Sequence, residues 1–501
     1  MRGGVALLVA LALVTAGCAQ DARSTLTVQR PAGGGNLRYP LTSDPASITP
    51  LGARTLDELT VERSMFAGLV DIDPASGRLV GVAAASWKAD AGQRTFTFRL
   101  RPGLTFSNGE PLTADTFAQD WAIVCSTNAP AAPLLRVIEG AQACGRGGAE
   151  LPGVQVVSPQ VLRIQLSQPF ADLPALLAAP STWAFPPDLA GSQTARASFE
   201  THPVGAGPFT LASWVPGTRI ELARNPSAVG GIAHLDTVEF SLLPKADAPQ
   251  AAMDAYRRGS FDVAEVPPSD VQLTMTDREL SRQLLILPLL SDTLLHVPAA
   301  RVPSLRQRRG LAYGMDAPTV ARSVTGGAAT VADGLIPVGT PGYVPGVSPY
   351  VYDPGVAGRY LTGAALGRLT IGAAEGLDPV ASTLAAGYRE LHVPAEHLAG
   401  RPGRVNVYQL DAAYPSPDAL LAPLASASSQ DLLRSARATA DPVARAALYQ
   451  KLAAQELASA TNLPIVFNAR ALVISPKLSG AQFDFLGLPH LQRWGFIQSP
   501  P

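Results

Sequence analysis

Residues 96–121 read FTFRLRPGLTFSNGEPLTADTFAQDW, and the architecture follows from how this run is parsed. Phe96, Phe98 and Leu100 alternate with Thr97 and Arg99, so three apolar side chains share one face of a strand. Asn108-Gly109 signals a turn. Thr113 then has the chemistry of an N-cap, with Asp115 placed at the positive end of a helix dipole and Phe117 and Trp121 on the helix that follows. A helix is expected over Ala114–Val124.

The same texture extends outward. NLRYPL (36–41) alternates like a strand, and LDELTVERSMFAGLVDID (56–73) has helical spacing before it turns to strand. VQVVS and VLRIQLS (154–167) read as strands, as do the two halves of GPFTLASWVPGTRIELARN (207–225), joined by Pro216-Gly217 as a tight hairpin. LDTVEFSLLP is a further strand, and AAMDAYRRGSFDVAEV reads as helix, glycine turn, strand. From Pro303 helices dominate, in LRQRRGLAYGMDAPTVARSV, PVASTLAAGYRELHV and DPVARAALYQKLAAQELASA, before LPIVFNARALVIS returns to strand. Strands, then helices, then strands describe an α/β molecule whose last segment rejoins its first lobe.

A chain of 501 residues is long for one core and points to two or three lobes. Apolar residues make up 47% and charged residues 16%, against a usual charged share of about 25%. The net charge of −1 gives no electrostatic footprint for nucleic acid or for an anionic membrane surface.

The first residues carry an address. Arg2 precedes an apolar run, Val5–Val14, too short to cross roughly 30 Å of hydrocarbon. A signal peptide over residues 1–17 fits, and Ala16-Gly17-Cys18 resembles a bacterial lipobox, in which the cysteine bears lipid and becomes the mature N-terminus. A plain secretory signal cleaved elsewhere is the other reading. With Cys18 lipidated, Cys125 and Cys144 remain as a pair in an oxidising compartment; they read as a structural disulfide or as two buried thiols. Residues 18–34 read as a flexible tether.

Catalytic signatures are missing: no Gly-x-Ser-x-Gly elbow and no Gly-x-x-x-x-Gly-Lys loop occurs. His392 and His397 are close, but Pro394 breaks any shared helical face, so surface histidines are expected there and no metal. No enzyme and no cofactor is expected. An exported, tethered, multi-lobed chain without catalytic motifs suits a receptor that buries a small ligand between lobes.

At this point six blocks, in order, resemble the extracytoplasmic solute-binding proteins of ABC importers, family 5, the oligopeptide/dipeptide-binding group. They are residues 96–121, VGAGPFTLASWVPGTRIELARNP (204–226), LRQRRGLAYGMDAPTVARSVTGGAATVADGLIP (305–337), YVYDPGVAGRYL, DPVARAALYQKL and LPIVFNARALVISPKLSG. The resemblance implies a two-lobed periplasmic-binding-protein-like α/β fold (type II, class C) with an extra subdomain inserted in lobe I. Lobe I then takes 35–70, 195–290 and 471–501, the inserted subdomain 71–194, and lobe II 291–470. It also implies a monomer, extracytoplasmic and lipid-anchored to the cell membrane, that delivers a peptide or other modest-sized solute to an ABC permease complex. An envelope lipoprotein of the same fold with a scaffold or regulatory role is the alternative, and an exported enzyme the third.

LDAAYPSPD (410–418) falls in lobe II, where peptide-binding members end a strand in an acid that pairs with the ligand's ammonium group. Here Ala413 takes the acid's place and Ser416 that of a second acid. Asp411 lies on the same strand face, roughly 7 Å from Ala413. The resemblance therefore names Asp411, Ala413, Tyr414, Ser416 and Asp418 as ligand-site residues, with Tyr414 as a ring platform and Trp183 or Tyr313 as further contacts by position. It implies that peptides with a free N-terminus bind no better than N-acetylated ones, unless Asp411 or Asp418 replaces the missing anchor.

Overall fold

Two four-stranded sheets take up the alternating stretches of the first half of the chain. In the computed structural model, which describes residues 31, 33–127, 129–146, 150–190, 192–243, 248–363 and 366–497, the strands are β1 (Asn36–Leu41), β2 (Ala84–Ala89), β3 (Thr95–Leu100), β4 (Val154–Ser158), β5 (Val161–Gln165), β6 (Phe209–Val215), β7 (Arg219–Arg224) and β8 (Thr237–Leu242). One sheet has the order β1-β8-β7-β6 and the other, in the inserted subdomain, β2-β3-β5-β4. The signal segment, Cys18 and the tether as far as residue 30 lie outside the described residues.

Helix α1 (Leu56–Met65) is capped by Thr55, whose hydroxyl accepts from the Glu58 N–H at 3.3 Å. Helix α2 (Ala114–Ser126) starts after Thr113, whose N–H donates to the Thr116 hydroxyl at 3.0 Å. It buries Phe117 and Trp121, the latter donating from its indole N–H to the Thr182 carbonyl at 3.0 Å. Cys125, at the end of α2, is joined to Cys144 by a disulfide. Gly109 has φ +87°, open to glycine without strain, whereas Gly207 is needed for contact: a Cβ there would stand 2.5 Å from the Met65 carbonyl carbon. One apolar core, from Leu37 to Trp494, runs under both sheets, so the subdomain is fused to its lobe rather than merely tethered to it.

A third sheet carries the chain into the second lobe. Its strands are β9 (Val263–Glu265), β10 (Leu284–His296), β11 (Thr330–Val331), β12 (Leu369–Ala373), β13 (Ala395–Leu398), β14 (Val405–Asp411) and β15 (Asn462–Ile474), in the order β9-β15-β10-β14-β12-β13, with β11 paired to β15. β10 and β15, antiparallel and each 13 residues long, are common to both lobes. Their pairing slips between Pro288↔Ala469 and Asp292↔Phe467, so Leu289–Ser291 bulge opposite Asn468 alone. Pro288 has no N–H to give the ladder, which suits it to that interruption. The bulge is the joint between the lobes.

Beyond it, helix α3 (Asp378–Glu390) covers β12–β14 over a core running from Leu295 to Val466. Helices α4 (Pro417–Leu421), α5 (Gln430–Ala438) and α6 (Pro442–Ser459) close a second core around Leu421, Leu433, Tyr449 and Leu452. The molecule is a two-lobed α/β protein.

Candidate functional site

At the bulge the two lobes face each other across a cavity of about 270 Å³. Arg54, Leu56 and Leu59, around the start of α1, line it from the first lobe together with Ala179–Ser181. From the second lobe come Gln409, Asp411 and Ala413. Strand alternation sets this face: Gln409, Asp411 and Ala413 are exposed, whereas Tyr414 is only 7% exposed. Most of the wall is apolar, and its one carboxylate is Asp411.

That carboxylate is held by the hinge. Asp411 Oδ1 accepts from Ser291 Oγ at 2.5 Å and from Gln409 Nε2 at 2.8 Å. Ser291 Oγ accepts from Asn468 Nδ2 at 2.8 Å, and Asn468 Oδ1 accepts from Thr293 Oγ1 at 2.9 Å. A polar chain thus crosses β14, β10 and β15 at the joint. Asp292, between Ser291 and Thr293, is fully buried, and among the described residues neither of its oxygens finds a hydrogen-bond partner. Burial first, and the Asp411 charge second, push its pKa well above the usual carboxylate range.

Past Ala413 the segment leaves the cavity and meets the inserted subdomain. Ser416 Oγ and Tyr449 Oη donate to Asp172 Oδ2 at 2.9 and 2.8 Å, and Arg445 Nε stands 3.2 Å from Asp172 Oδ1. Arg437 grips Asp418 with Nε and Nη2 at 2.7 and 2.8 Å, and Tyr414 Oη donates to Asp418 Oδ2 at 2.7 Å. The Arg437 guanidinium lies over the Phe170 ring at 5.4 Å, and Phe170 meets Tyr414 edge-on. The Ala171 N–H donates to the Arg437 carbonyl at 2.7 Å.

Asp418 is fully buried and Asp172 is 7% exposed. Burial pushes the Asp172 pKa up, with Arg445 the leading opposing charge. Burial opposes the Arg437 charge, but the hydrogen bonds to Asp418 and the opposite charge of that carboxylate together outweigh it, and its pKa is raised. Burial, reinforced by the two carboxylates, pushes both tyrosine hydroxyls up, so they remain donors.

The structure therefore divides the expected site residues. Asp411 and Ala413 line the cavity; Tyr414, Ser416 and Asp418 are in the inter-lobe network instead. Asp418 is not available as a replacement anchor, because Arg437 satisfies it in a position closed to solvent. Tyr414 is not a ring platform, since its ring packs on Phe170 and its hydroxyl is committed to Asp418. Trp183 lines a different cavity, inside the first lobe, beneath Arg63 and beside Asp71 and His490. Tyr313 stacks on Tyr360 and meets Tyr350 edge-on, away from the cleft. His397 pairs with Asp378 at 2.7 Å, and among the described residues no group of His, Cys, Asp and Glu is placed to hold a metal. Reading the sequence missed Asp172, Arg437, Arg445, Tyr449 and Ser291. One available signal was the four-residue spacing of Arg445 and Tyr449 on α6, which puts both on one helix face.

Residues 78–392 match the bacterial extracellular solute-binding proteins, family 5 (middle region). The probable deoxycholate-binding periplasmic protein YgiS of Escherichia coli (strain K12) is 29% identical over 299 residues, which cover 58% of this chain and 55% of that protein. The probable D,D-dipeptide-binding periplasmic protein DdpA of the same organism is 26% identical over 325 residues, covering 62% and 59%. The chain thus spans a little over half the length of these curated relatives. Over its fold the likeness is more complete: the structure of the Escherichia coli murein tripeptide binding protein MppA superposes with a TM-score of 0.77 at 21% identity, covering 94% of this chain and 100% of that one.

Proposed function

The chain belongs to the bacterial extracellular solute-binding proteins of family 5, and from that premise we propose that it is the capture subunit of an ABC importer. It takes a peptide or other modest-sized solute between its lobes and hands it to a permease complex in the membrane. The observation that carries this reading is the apolar, acid-bearing cavity at the joint, where both lobes contribute wall. A site shared by two lobes on a strand hinge can bury its ligand by closing, which couples occupancy to a shape that a membrane partner can sense. The receptor works as a monomer outside the cytoplasm, held to the cell membrane by lipid on Cys18.

Two measurements test this. The solute that copurifies with the protein, identified by mass spectrometry, should no longer be imported by a deletion strain; undiminished uptake would count against a transport role. Cys18→Ala should release the protein from the membrane fraction into the medium, and its retention would remove the lipid anchor from the proposal.

A further inference from the structure

The cavity and the inter-lobe network are built on the same two segments. One runs from Phe170 and Asp172 in the network to Ala179–Ser181 on the cavity wall. The other runs from Asp411 and Ala413 on the cavity to Ser416 and Asp418 in the network. The network therefore stands at one end of the cavity and joins its two sides. It does so by direct contact, with Ser416 at 2.9 Å and Tyr449 at 2.8 Å from Asp172, and Tyr449 also at 3.2 Å from Asp418. A chain extending past Ala413 would have to break these bonds and strand buried carboxylates. The space left is about 270 Å³, slightly below the roughly 300 Å³ at which drug-sized sites begin.

We propose that Asp172, Asp418, Arg437 and Arg445, with their tyrosine and serine partners, form a length stop, and that the cleft takes a short, largely apolar solute of about dipeptide bulk. This rests on the receptor reading above and narrows its substrate class. The stop acts by exclusion. An occupant that fits lets the lobes close with the network formed, whereas a longer one holds it open.

The test is calorimetry on the full mature protein with Ala-Leu, Ala-Leu-Ala and Ala-Leu-Ala-Leu-Ala as probes, beside mass spectrometry of the copurified solute. The expected result is at least a tenfold loss of affinity from the dipeptide to the pentapeptide, and a copurified solute no larger than a tripeptide. In a Ser416→Ala, Tyr449→Phe double variant, which removes hydroxyl ties and keeps both arginine pairs, the gap should narrow. Asp172→Asn gives the same readout should the double variant fail to fold. A pentapeptide that binds as well as the dipeptide, or a larger copurified solute, overturns the length stop and leaves the receptor standing. Failure of all three probes combined with no copurified solute overturns both.

Discussion

Position 413 presents a methyl group to the cavity, and the carboxylate that the cavity does hold, on Asp411, is exposed and already accepts two hydrogen bonds. An exposed pair of this kind contributes about 0–1 kcal/mol, against about 3–5 kcal/mol lost when one partner of a buried pair is removed. N-acetylation of a short peptide ligand should therefore change its affinity by less than about fivefold. Calorimetry of matched free and acetylated dipeptides checks this; a loss of tenfold or more would make Asp411 an ammonium anchor, and Asp411→Ala should then abolish the difference. The resemblance singled out nine residues, 410–418, and strand alternation alone separates Asp411 and Ala413, which line the cavity, from Tyr414, which does not. It could not show that Ser416 and Tyr449 find Asp172 at separations of 244 and 277 residues. Which acid is spent on a structural partner and which is left for a ligand is decided by such distant pairings.

Among the elements, those with one wet face were legible. β3, β5 and α2 carry alternation, a turn and a cap in the sequence, and they form where those signals lie. β10 was not: LLILPLLSDTLLH shows neither period, because its second half, Leu290–Leu295, is buried on both faces and has no pattern to display, and Pro288 argues against a strand where it in fact marks a bulge. β10 also contains Asp292, without a hydrogen-bond partner among the described residues, which makes a pH prediction. Its folded pKa lies above the unfolded value of about 3.9, so the folded state holds the proton more tightly. The resulting stabilisation is complete below about pH 4 and is lost as pH rises toward the raised folded value, at up to about 1.4 kcal/mol per pH unit. Asp292→Asn keeps the shape and removes the titration. Urea unfolding should show the variant gaining on the parent protein as pH goes from about 4 to 8; a constant difference between them would mean that Asp292 does not bind a proton on folding.

For the whole molecule, the lobes are held by the paired hinge strands and by the network around Asp172 and Asp418. Arg437→Met leaves the buried Asp418 carboxylate without its guanidinium, at an expected cost of about 3 kcal/mol. Because the Arg437 guanidinium also lies over Phe170 of the inserted subdomain, its loss loosens the contact between two separately packed cores, and calorimetry should resolve the single unfolding peak expected of the parent into two. A single peak shifted down by the same energy would mean that the hinge alone couples the lobes. The strand order has a further consequence, for biosynthesis. β15 is seated between β9 and β10, yet it is made only after nearly all of the second lobe. During synthesis the first lobe must wait, with part of its central sheet unfilled, until residues 462–474 arrive. A polypeptide that cannot complete its first half before its end is translated stays threadable for longer, which suits passage through a membrane channel ahead of folding.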